Sequence, residues 1–291
     1  GRLDASLDGV PWGTTPAGAR GRIEVAVGRI ALPEADVRSV SLIVSGGPDS
    51  VRVDAEADVD DTRRAEASVL LDPRPERRSV RVDRMRFQLD RDDWLLRSPA
   101  LVSYRDGVSV DSLVLGARGQ EIRVHGGLVA DTLDLRVRTD SIDVGTISDL
   151  AGFAALDGWL AMDADLNGEP AAPRGHAELR GSFGRDGTAR SAAEVRVDLE
   201  NARARIDGTL TREGGHATLR GTAPLTSEDS VSLALSADSL ALAWLLPFLD
   251  PETVSELSGT LDADVALEGS WADPHASGRL GVRDGVVGLP A

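Results

Sequence analysis

Apolar and polar residues alternate along most of this chain in short runs. The cleanest run is 51–59, in which Val and Ala residues alternate with Arg, Asp and Glu. A period of two residues is typical of a β-strand with one apolar face and one polar face. Similar runs recur between Gly, Pro and Asp turn signals along the whole chain. The pattern predicts an all-β protein of roughly twenty short strands.

One predicted strand, 79–89, changes the phase of its alternation. Its apolar residues stand at the even positions 80 and 82 and then at the odd positions 85, 87 and 89. A β-bulge adds one residue to a strand and returns both groups to one face. We therefore expect a bulge near Asp83-Arg84.

Apolar residues follow a helical spacing in two places, Thr146–Leu156 and Leu240–Leu257. Pro247 and Pro251 divide the second of these segments, because proline interrupts a helix. The sequence therefore predicts two short helices in an otherwise all-β chain.

A segment of the chain occurs twice, at 158–181 and at 259–285. Each copy begins with Gly, has a second Gly ten residues later and a Pro five residues after that. Both copies alternate between the glycines, and both carry a pair of Asp residues two apart in the polar phase, 163 and 165 in one copy and 262 and 264 in the other. Each predicted helix directly precedes one copy. This similarity indicates a long repeating unit built from amphipathic strands.

A sheet with one apolar face must cover that face. Two short helices are too few for this many strands, so we expect an elongated meandering sheet that curls on itself into a β-taco, or groove, of solenoid type. The predicted segments are 1–145 (β-repeats), 146–241 (helix and β-repeat) and 242–291 (helix and the start of a further repeat). We expect them to form one continuous structure and to be a fragment of a longer chain.

The interior of such a groove is predicted to be aliphatic and suited to an acyl chain. The alternative is a closed sandwich with a dry core, which the pattern alone leaves open. The residues predicted to line the groove share the apolar phase of their strands. They are Val51, Val53, Ile122, Val124, Leu133, Leu135, Val137, Leu160, Met162, Leu166, Val195, Val197, Leu199, Leu233, Leu235, Leu261, Val265 and Leu267.

Charge and composition narrow the choice of function. The net charge is −16, and no basic stripe is available to neutralise phosphates, which argues against a nucleic-acid partner. The chain has no Cys, so disulfides and thiolate chemistry are excluded. No run of eighteen apolar residues is present, so we expect no transmembrane helix within 1–291.

We find no pattern of catalytic residues. The chain contains no HExxH, GxSxG, phosphate-binding loop or EF-hand motif. His125, His176 and His216 fall in the polar phase of their strands, and His275 follows a proline in a predicted turn. The two Asp pairs are interpreted as parts of a solvated charged face that opposes aggregation. We therefore predict no catalytic residue, no metal site, no cofactor and no enzymatic activity.

The repeated segment resembles the TamB/AsmA-like family of Gram-negative envelope proteins. The likeness rests on the Gly-strand-Gly unit 259–269, on Ala272-Asp273-Pro274 and on the following strand with its Asp284-Gly285 pair. The segment 93–110, with its Arg105-Asp106-Gly107 turn, is similar. The resemblance covers most of the chain, and the repeated segment is its most specific part.

This resemblance implies a periplasmic β-groove that supports phospholipid transport between the inner and outer membranes, outer-membrane assembly, or both. The partners implied are phospholipid acyl chains, and an outer-membrane assembly partner bound through regions outside this chain. The full-length protein is expected to be anchored in the inner membrane. Two alternatives are a structural or adhesive β-repeat module with a dry core and a carbohydrate-active solenoid. The second is disfavoured by an aromatic content of only 3%.

Overall fold

Strands account for 83% of the structure, which confirms the all-β prediction. The computed structural model describes residues 3–9, 21–32, 35–47, 50–60, 62–72, 74, 77–89, 92–146, 156–184, 190–226, 229–243 and 253–288. The chain divides into two units, Gly1–Asp131 and Thr132–Ala291. The segment boundaries predicted after residues 145 and 241 both lie inside the second unit and remain predictions.

The first unit is an antiparallel sheet of ten described strands. They are β1 (Leu3–Gly9), β2 (Gly21–Leu32), β3 (Ala35–Gly47), β4 (Ser50–Asp58), β5 (Arg63–Asp72), β6 (Ser79–Leu89), β7 (Asp92–Leu96), β8 (Ala100–Ser103), β9 (Gly107–Ala117) and β10 (Gln120–Val129). Each of β1 to β5 pairs with the next strand in the chain, and β9 pairs with β10. Strands β7 and β8 both lie between β6 and β9.

Strands β7 and β8 together fill a single position in this sheet. Pro99 lies between them and has no N–H to give to a ladder, so a continuous strand is interrupted there. The N–H of Arg97 still donates to the carbonyl oxygen of Val114 on β9 at 2.8 Å. The interruption therefore costs little of the cross-strand hydrogen bonding.

The bulge predicted in β6 is confirmed. Arg84 lies opposite Ser68 and Val82 lies opposite Val69, so Asp83 is an extra residue in β6. Because of this insertion, Val82 and Met85 project from the same face despite their different parity. A second bulge lies in β9, where Asp111 and Ser112 together oppose His125 of β10 and the register shifts between Val124 and Gly126. The pair Gly126-Gly127, which reads as a hairpin turn, therefore lies inside a strand.

The second unit is an antiparallel sheet of nine described strands. They are β11 (Thr132–Asp143), β12 (Asp157–Glu169), β13 (Ala172–Gly184), β14 (Ser191–Glu200), β15 (Arg203–Arg212), β16 (Gly215–Pro224), β17 (Ser230–Ala241), β18 (Glu256–Ser270) and β19 (Asp273–Gly288). Every strand pairs with its neighbour in the sequence. The unit is therefore a simple meander.

Two bulges of the second unit have the same local sequence, Asp followed by Ser. Ser141 in β11 and Ser239 in β17 have φ angles of 51° and 50°, in the left-handed region. The register shifts at both places, from Thr139 to Ile142 and from Ala237 to Leu240. Each bulge keeps the apolar residues on one face although their parity changes.

The two copies of the repeated segment form matching hairpins. The first is β12 with β13 and the second is β18 with β19, and each has a two-residue turn. Gly168 and Gly269, opposite Pro173 and Pro274, have φ angles of 98° and 102°. The strand prediction for both copies is confirmed.

The predicted helices are not confirmed. Residues 147–155, which form most of the first prediction, and 244–252, which form half of the second, lie outside the described residues. Residues 144–146 make one helical turn, and 242–243 have 3₁₀ conformation. The ends predicted for the second helix are wrong, because Leu240 belongs to β17 and Leu257 to β18. The apolar side chains of these two residues follow the two-residue period of a strand and not the spacing of a helix.

Candidate functional site

The strand register places the predicted lining residues on one face of each sheet, which we call the apolar face. In the first unit this face carries Val51, Val53, Ile122 and Val124, whose ladder partners include Leu71, Val69, Leu115 and Leu113. In the second unit it carries Leu133, Leu135, Val137, Leu160, Met162, Leu166, Val195, Val197, Leu199, Leu233, Leu235, Leu261, Val265 and Leu267. Their role in binding lipid stays a prediction.

A row of directly opposed residues, which we call the aliphatic row, crosses the second unit from strand to strand, and six of its nine members are Met, Leu or Val. Directly opposed residues follow one another in the order Thr139, Met162, Leu179, Val195, Gly208, Leu219, Leu235, Val265 and Gly278. Nine strands about 4.8 Å apart give this row a length of about 38 Å along the sheet. A bilayer core about 30 Å thick holds two layers of acyl chains, so one chain spans about 15 Å. The row is therefore longer than one acyl chain.

The apolar face is accessible rather than dry. Of the eighteen predicted lining residues, seventeen are half-buried and Leu235 is 39% exposed. Leu179, on the same row, is 40% exposed. Side chains of this kind are usually buried in a packed core. This face therefore leaves aliphatic surface open to solvent or to a ligand.

One part of the apolar face is packed more tightly. Ala217, Ala237, Leu240 and Ala263 form a buried cluster, against which Leu210, Leu261 and Val265 pack. Leu240 is only 2% exposed and Val231 only 1%. The small side chains of alanine allow close packing against the sheet. This part of the apolar face is therefore core and not open surface.

The opposite face of the second unit, which we call the charged face, carries cross-strand ion pairs. Nε of Arg136 lies 3.0 Å from Oδ2 of Asp165, and Nε of Arg138 lies 2.8 Å from Oδ2 of Asp163. In both pairs the two residues are directly opposed in the β11–β12 ladder. The first Asp pair is thus engaged by arginines, as expected for a solvated charged face.

The second Asp pair has a similar environment. Asp262 lies 2.8 Å from the Nη2 atom of Arg283, and Asp264 is opposite Arg279 in the β18–β19 ladder. Among the described residues, no group of three or more His, Asp or Glu side chains is arranged to hold a metal ion. Three of these four Asp side chains therefore form ion pairs with an arginine on a neighbouring strand.

The histidines lie on exposed or half-buried surface of their strands. Nε2 of His176 is 3.9 Å from Oδ1 of Asp163, and Nδ1 of His125 contacts the carbonyl oxygen of Asp111. His216 is exposed. His275 lies in β19 rather than in a turn, and its Nδ1 is 3.2 Å from the carbonyl oxygen of Asp273. These contacts are local, and no nucleophile lies among them.

Three carboxylates of the first unit have lowered pKa values because of local hydrogen bonds. The N–H and hydroxyl of Thr62, with Arg63, hold the pKa of Asp60 far below its usual range. Hydrogen bonds from Arg74 lower the pKa of Asp72 to about 2. The pKa of Asp83 is lowered by Arg81 and, more weakly, by Arg52. All three lie at strand ends or at the β6 bulge, where the hydrogen bonds stabilise backbone turns.

A cleft of about 580 Å³ in the first unit has mixed charge. It is lined in part by Asp72, Arg77, Arg105 and Asp106. Arg105 pairs with Asp106 at 2.8 Å, and Arg77 lies 3.8 Å from Asp72. These charges neutralise one another, so the cleft has no single ligand chemistry.

The sequence interpretation missed two polar residues on the apolar face, Ser191 and Arg212. Nη1 of Arg212 lies 3.4 Å from the hydroxyl oxygen of Ser191, which is fully buried. The signal was present in the alternation of β15, because Ala204, Ile206 and Leu210 share the parity of Arg212.

Comparison with known proteins adds no relative. No family model, curated protein or solved structure matches this chain. Within the described residues, no helix has the length and apolar character needed to cross a bilayer.

Proposed function

We propose that this chain is part of a periplasmic groove protein that supports phospholipid transport between the inner and outer membranes, outer-membrane assembly, or both. In this proposal the sheet curls so that its apolar face lines a groove. The observation that carries the proposal is the half-buried aliphatic row of the second unit, which includes the exposed Leu179 and Leu235. The envelope location and the inner-membrane anchor rest on the resemblance of the repeated segment to TamB/AsmA-like proteins.

The proposed mechanism is passive. Acyl chains lie against the aliphatic row and leave water, which is favourable by about 25 cal/mol for each Å² of apolar surface removed. The head groups stay in water, because moving a phosphate into an apolar interior is costly. Met, Leu or Val side chains lie at six of the nine positions of the row, so an acyl chain meets apolar surface along most of its length. No cofactor, metal or nucleotide takes part in this mechanism.

A structural or adhesive β-repeat module is the second candidate. The buried cluster of Ala217, Ala237, Leu240 and Ala263 favours it, because it shows that part of the face is dry. The accessibility of Leu179 and Leu235 favours the groove, because a closed core would bury both.

Site-specific photo-crosslinking separates the two candidates. A photoreactive amino acid replaces Leu235 on the apolar face or, as the matched control, Ser236 on the charged face of the same strand. Each protein is expressed in the periplasm of a Gram-negative host, irradiated and examined for covalent phospholipid by mass spectrometry. We expect phospholipid adducts at position 235 and none at position 236.

Two results would contradict the proposal. One is the absence of phospholipid adducts at 235, and at 179 and 265 on the same row, in folded protein. The other is equal labelling of positions 235 and 236, because equal labelling indicates contact with a membrane surface rather than a lined groove.

A further inference from the structure

Arg212 is a charged residue on the apolar face of β15, with the parity of Ala204, Ile206 and Leu210. The register fixes this position, because Thr211 is opposite Ala192 and Arg212 is opposite Gly215. The contact of Arg212 with Ser191 places both side chains on the same face. Arg212 and Ser191 are therefore neighbours on the apolar face.

The guanidinium of Arg212 is only partly satisfied. Its Nη1 donates a long hydrogen bond of 3.4 Å to Oγ of Ser191, and its Nε is buried without a hydrogen-bond partner. In the described part of the chain no carboxylate pairs with it. A buried charged donor without a partner is unfavourable, so such groups in proteins usually have a purpose other than stability.

The first unit provides a contrast. There the polar residue Gln120 also lies in a buried position on the apolar face, with 8% exposure. Its Nε2 donates to Oδ2 of Asp92 at 2.8 Å, so its polar group is matched within the protein. Within the described ranges no carboxylate is paired with Arg212, which lies two residues after Leu210, a residue packed against the Ala217 cluster.

We propose that Arg212 and Ser191 bind the phosphate group of a ligand whose apolar part lies on the aliphatic row. This inference rests on the proposed function for the apolar part of the ligand, whereas the phosphate contact stands on Arg212 alone. A guanidinium offers a planar fork of N–H donors that matches two oxygens of a phosphate, and the Ser191 hydroxyl adds another donor. Arg212 as a whole is half-buried, so part of its side chain reaches the accessible surface.

The substrate class that follows is an anionic phospholipid. The chain carries a net charge of −16, which repels anions in general, so a local cation is needed to retain an anionic head group. Free phosphate shares this chemistry, and the two sources are distinguished by the test below.

The test compares the 291-residue chain with two variants, Arg212→Gln and Arg205→Gln. Arg205 is the matched control, because it lies on the same strand and faces the opposite side, across from Asp198. Each protein is incubated with nonionic detergent micelles that carry fluorescent phosphatidic acid or fluorescent diacylglycerol with the same acyl chains. In a separate arm, inorganic phosphate is titrated and the shift in melting temperature is measured.

We expect the unaltered chain to bind phosphatidic acid about tenfold more tightly than diacylglycerol, as for a charge-assisted hydrogen-bonded pair. In Arg212→Gln this preference is lost and the binding of diacylglycerol is unchanged, whereas Arg205→Gln behaves as the unaltered chain. If Arg212→Gln keeps the preference, the phosphate site is wrong and the groove is unaffected. If neither lipid binds and inorganic phosphate stabilises only proteins that keep Arg212, the phosphate site holds and the lipid groove is wrong. If neither lipid nor phosphate binds, both proposals fail.

Folding of the variant gives an independent readout. Since Nε of Arg212 is unsatisfied, we expect Arg212→Gln to melt at the same temperature as the unaltered chain or above it. A purely structural arginine gives the opposite result. Arg212→Lys keeps the charge and loses the planar fork, so it should bind phosphatidic acid more weakly than the unaltered chain and more tightly than Arg212→Gln. A lower melting temperature for Arg212→Gln, with full binding by Arg212→Lys, contradicts the proposed recognition.

Discussion

The backbone N–H of Ser239, at the bulge of β17, donates a hydrogen bond of 3.0 Å to Oδ1 of Asp262 on β18. The same carboxylate accepts a bond of 2.9 Å from Nη2 of Arg283 on β19. Asp262 thereby holds three neighbouring strands together at the point where β17 changes the parity of its side chains. This contact gives the second Asp pair of the repeated segment a structural role.

Asp262→Ala should lower the free energy of unfolding by about 1–2 kcal/mol, because it removes a charge-assisted bond to the bulge and an ion pair. Chemical denaturation of the second unit measures this loss. Asp163→Ala is the matched control, since Asp163 belongs to the Asp pair of the other copy and pairs with the exposed Arg138. Its expected cost is below about 1 kcal/mol, as for other surface pairs. Equal costs for the two variants argue against the role given to the bulge contact.

Gly158, the first residue of one repeated segment, should not tolerate a side chain. Its φ angle is 142°, and a Cβ atom there comes within 1.9 Å of the carbonyl oxygen of Ser182. We expect Gly158→Ala to lower the free energy of unfolding by about 3 kcal/mol, from backbone strain and from this clash. Denaturant titration measures the loss.

Gly208 provides the control for this substitution. It also lies on the second unit's apolar face, but a Cβ atom there meets Leu219 and Val195 at 3.7 Å, an ordinary contact distance. Gly208→Ala should change stability by less than about 0.5 kcal/mol, because it adds a methyl group without overlap. Similar losses of stability at both positions would contradict backbone strain and the clash with Ser182 as the cause of the loss at Gly158.

The period of two was sufficient to predict which residues share a face. It fixed the apolar positions of β4, β12 and β18, and the change of phase in 79–89 located the bulge at Asp83. The same change of phase occurs where Thr139 is followed by Ile142 on the apolar face, but no bulge is predicted there from the sequence. Pairing shows that the strand continues through this change of phase.

The features that were not predicted depend on strand pairing, which cannot be derived from the alternation of residues alone. Leu240 and Leu257 have a helical spacing with their neighbours, but cross-strand partners place them in β17 and β18. Alternation in β15 already places Arg212 on the apolar face, but the buried and unpaired Nε atom is visible only in the structure. The accessibility of the apolar face depends on how the sheet is covered, so it required the structure.

Stability of the first unit should depend on pH in the acidic range through Asp72. Hydrogen bonds from Arg74 lower the pKa of this carboxyl from 3.8 to about 2. Since the folded pKa is the lower one, the stabilising contribution is complete above pH 4 and is lost as the pH falls towards 2. Thermal unfolding measured from pH 5 to pH 2 should therefore show a steeper loss for the unaltered chain than for Asp72→Asn.

Arg74→Gln tests the cause of this dependence. Removing the guanidinium should return the pKa of Asp72 towards 3.8 and reduce the pH dependence to that of Asp72→Asn. A pH profile that Arg74→Gln leaves unchanged assigns the effect to another carboxylate, such as Asp60 or Asp83, whose pKa values are also lowered.

Arg64 should matter more at low salt than at high salt. Glu56 and Glu66 are directly opposed in the β4–β5 ladder, and two like charges in that position repel each other. Arg64 contacts Glu56, and its Nε lies 3.1 Å from Glu66 and 3.5 Å from Asp58. Arg64→Gln leaves this repulsion unopposed, at a cost of less than about 1 kcal/mol because the side chains are partly exposed. Urea titrations in dilute buffer and in molar salt should show the cost shrinking as screening increases.

Val197→Asp should remove lipid binding while leaving most of the sheet folded. Val197 is half-buried, and its ladder partners Ala177 and Ile206 are on the apolar face. A carboxylate there places a charge in the path of an acyl chain, and partial access to water limits the cost to folding. Micelle-bound fluorescent diacylglycerol measures binding, and circular dichroism measures the remaining strand content.

Arg196→Asp, one residue away and on the charged face, is the control for this change. It also introduces a carboxylate in β14, but it should leave diacylglycerol binding intact because Arg196 points away from the apolar face. If Val197→Asp unfolds the unit, Val197→Thr gives the same comparison with a smaller polar group. A folded Val197→Asp that binds diacylglycerol as well as Arg196→Asp does contradicts the groove, because an apolar path cannot carry a chain past an unpaired charge.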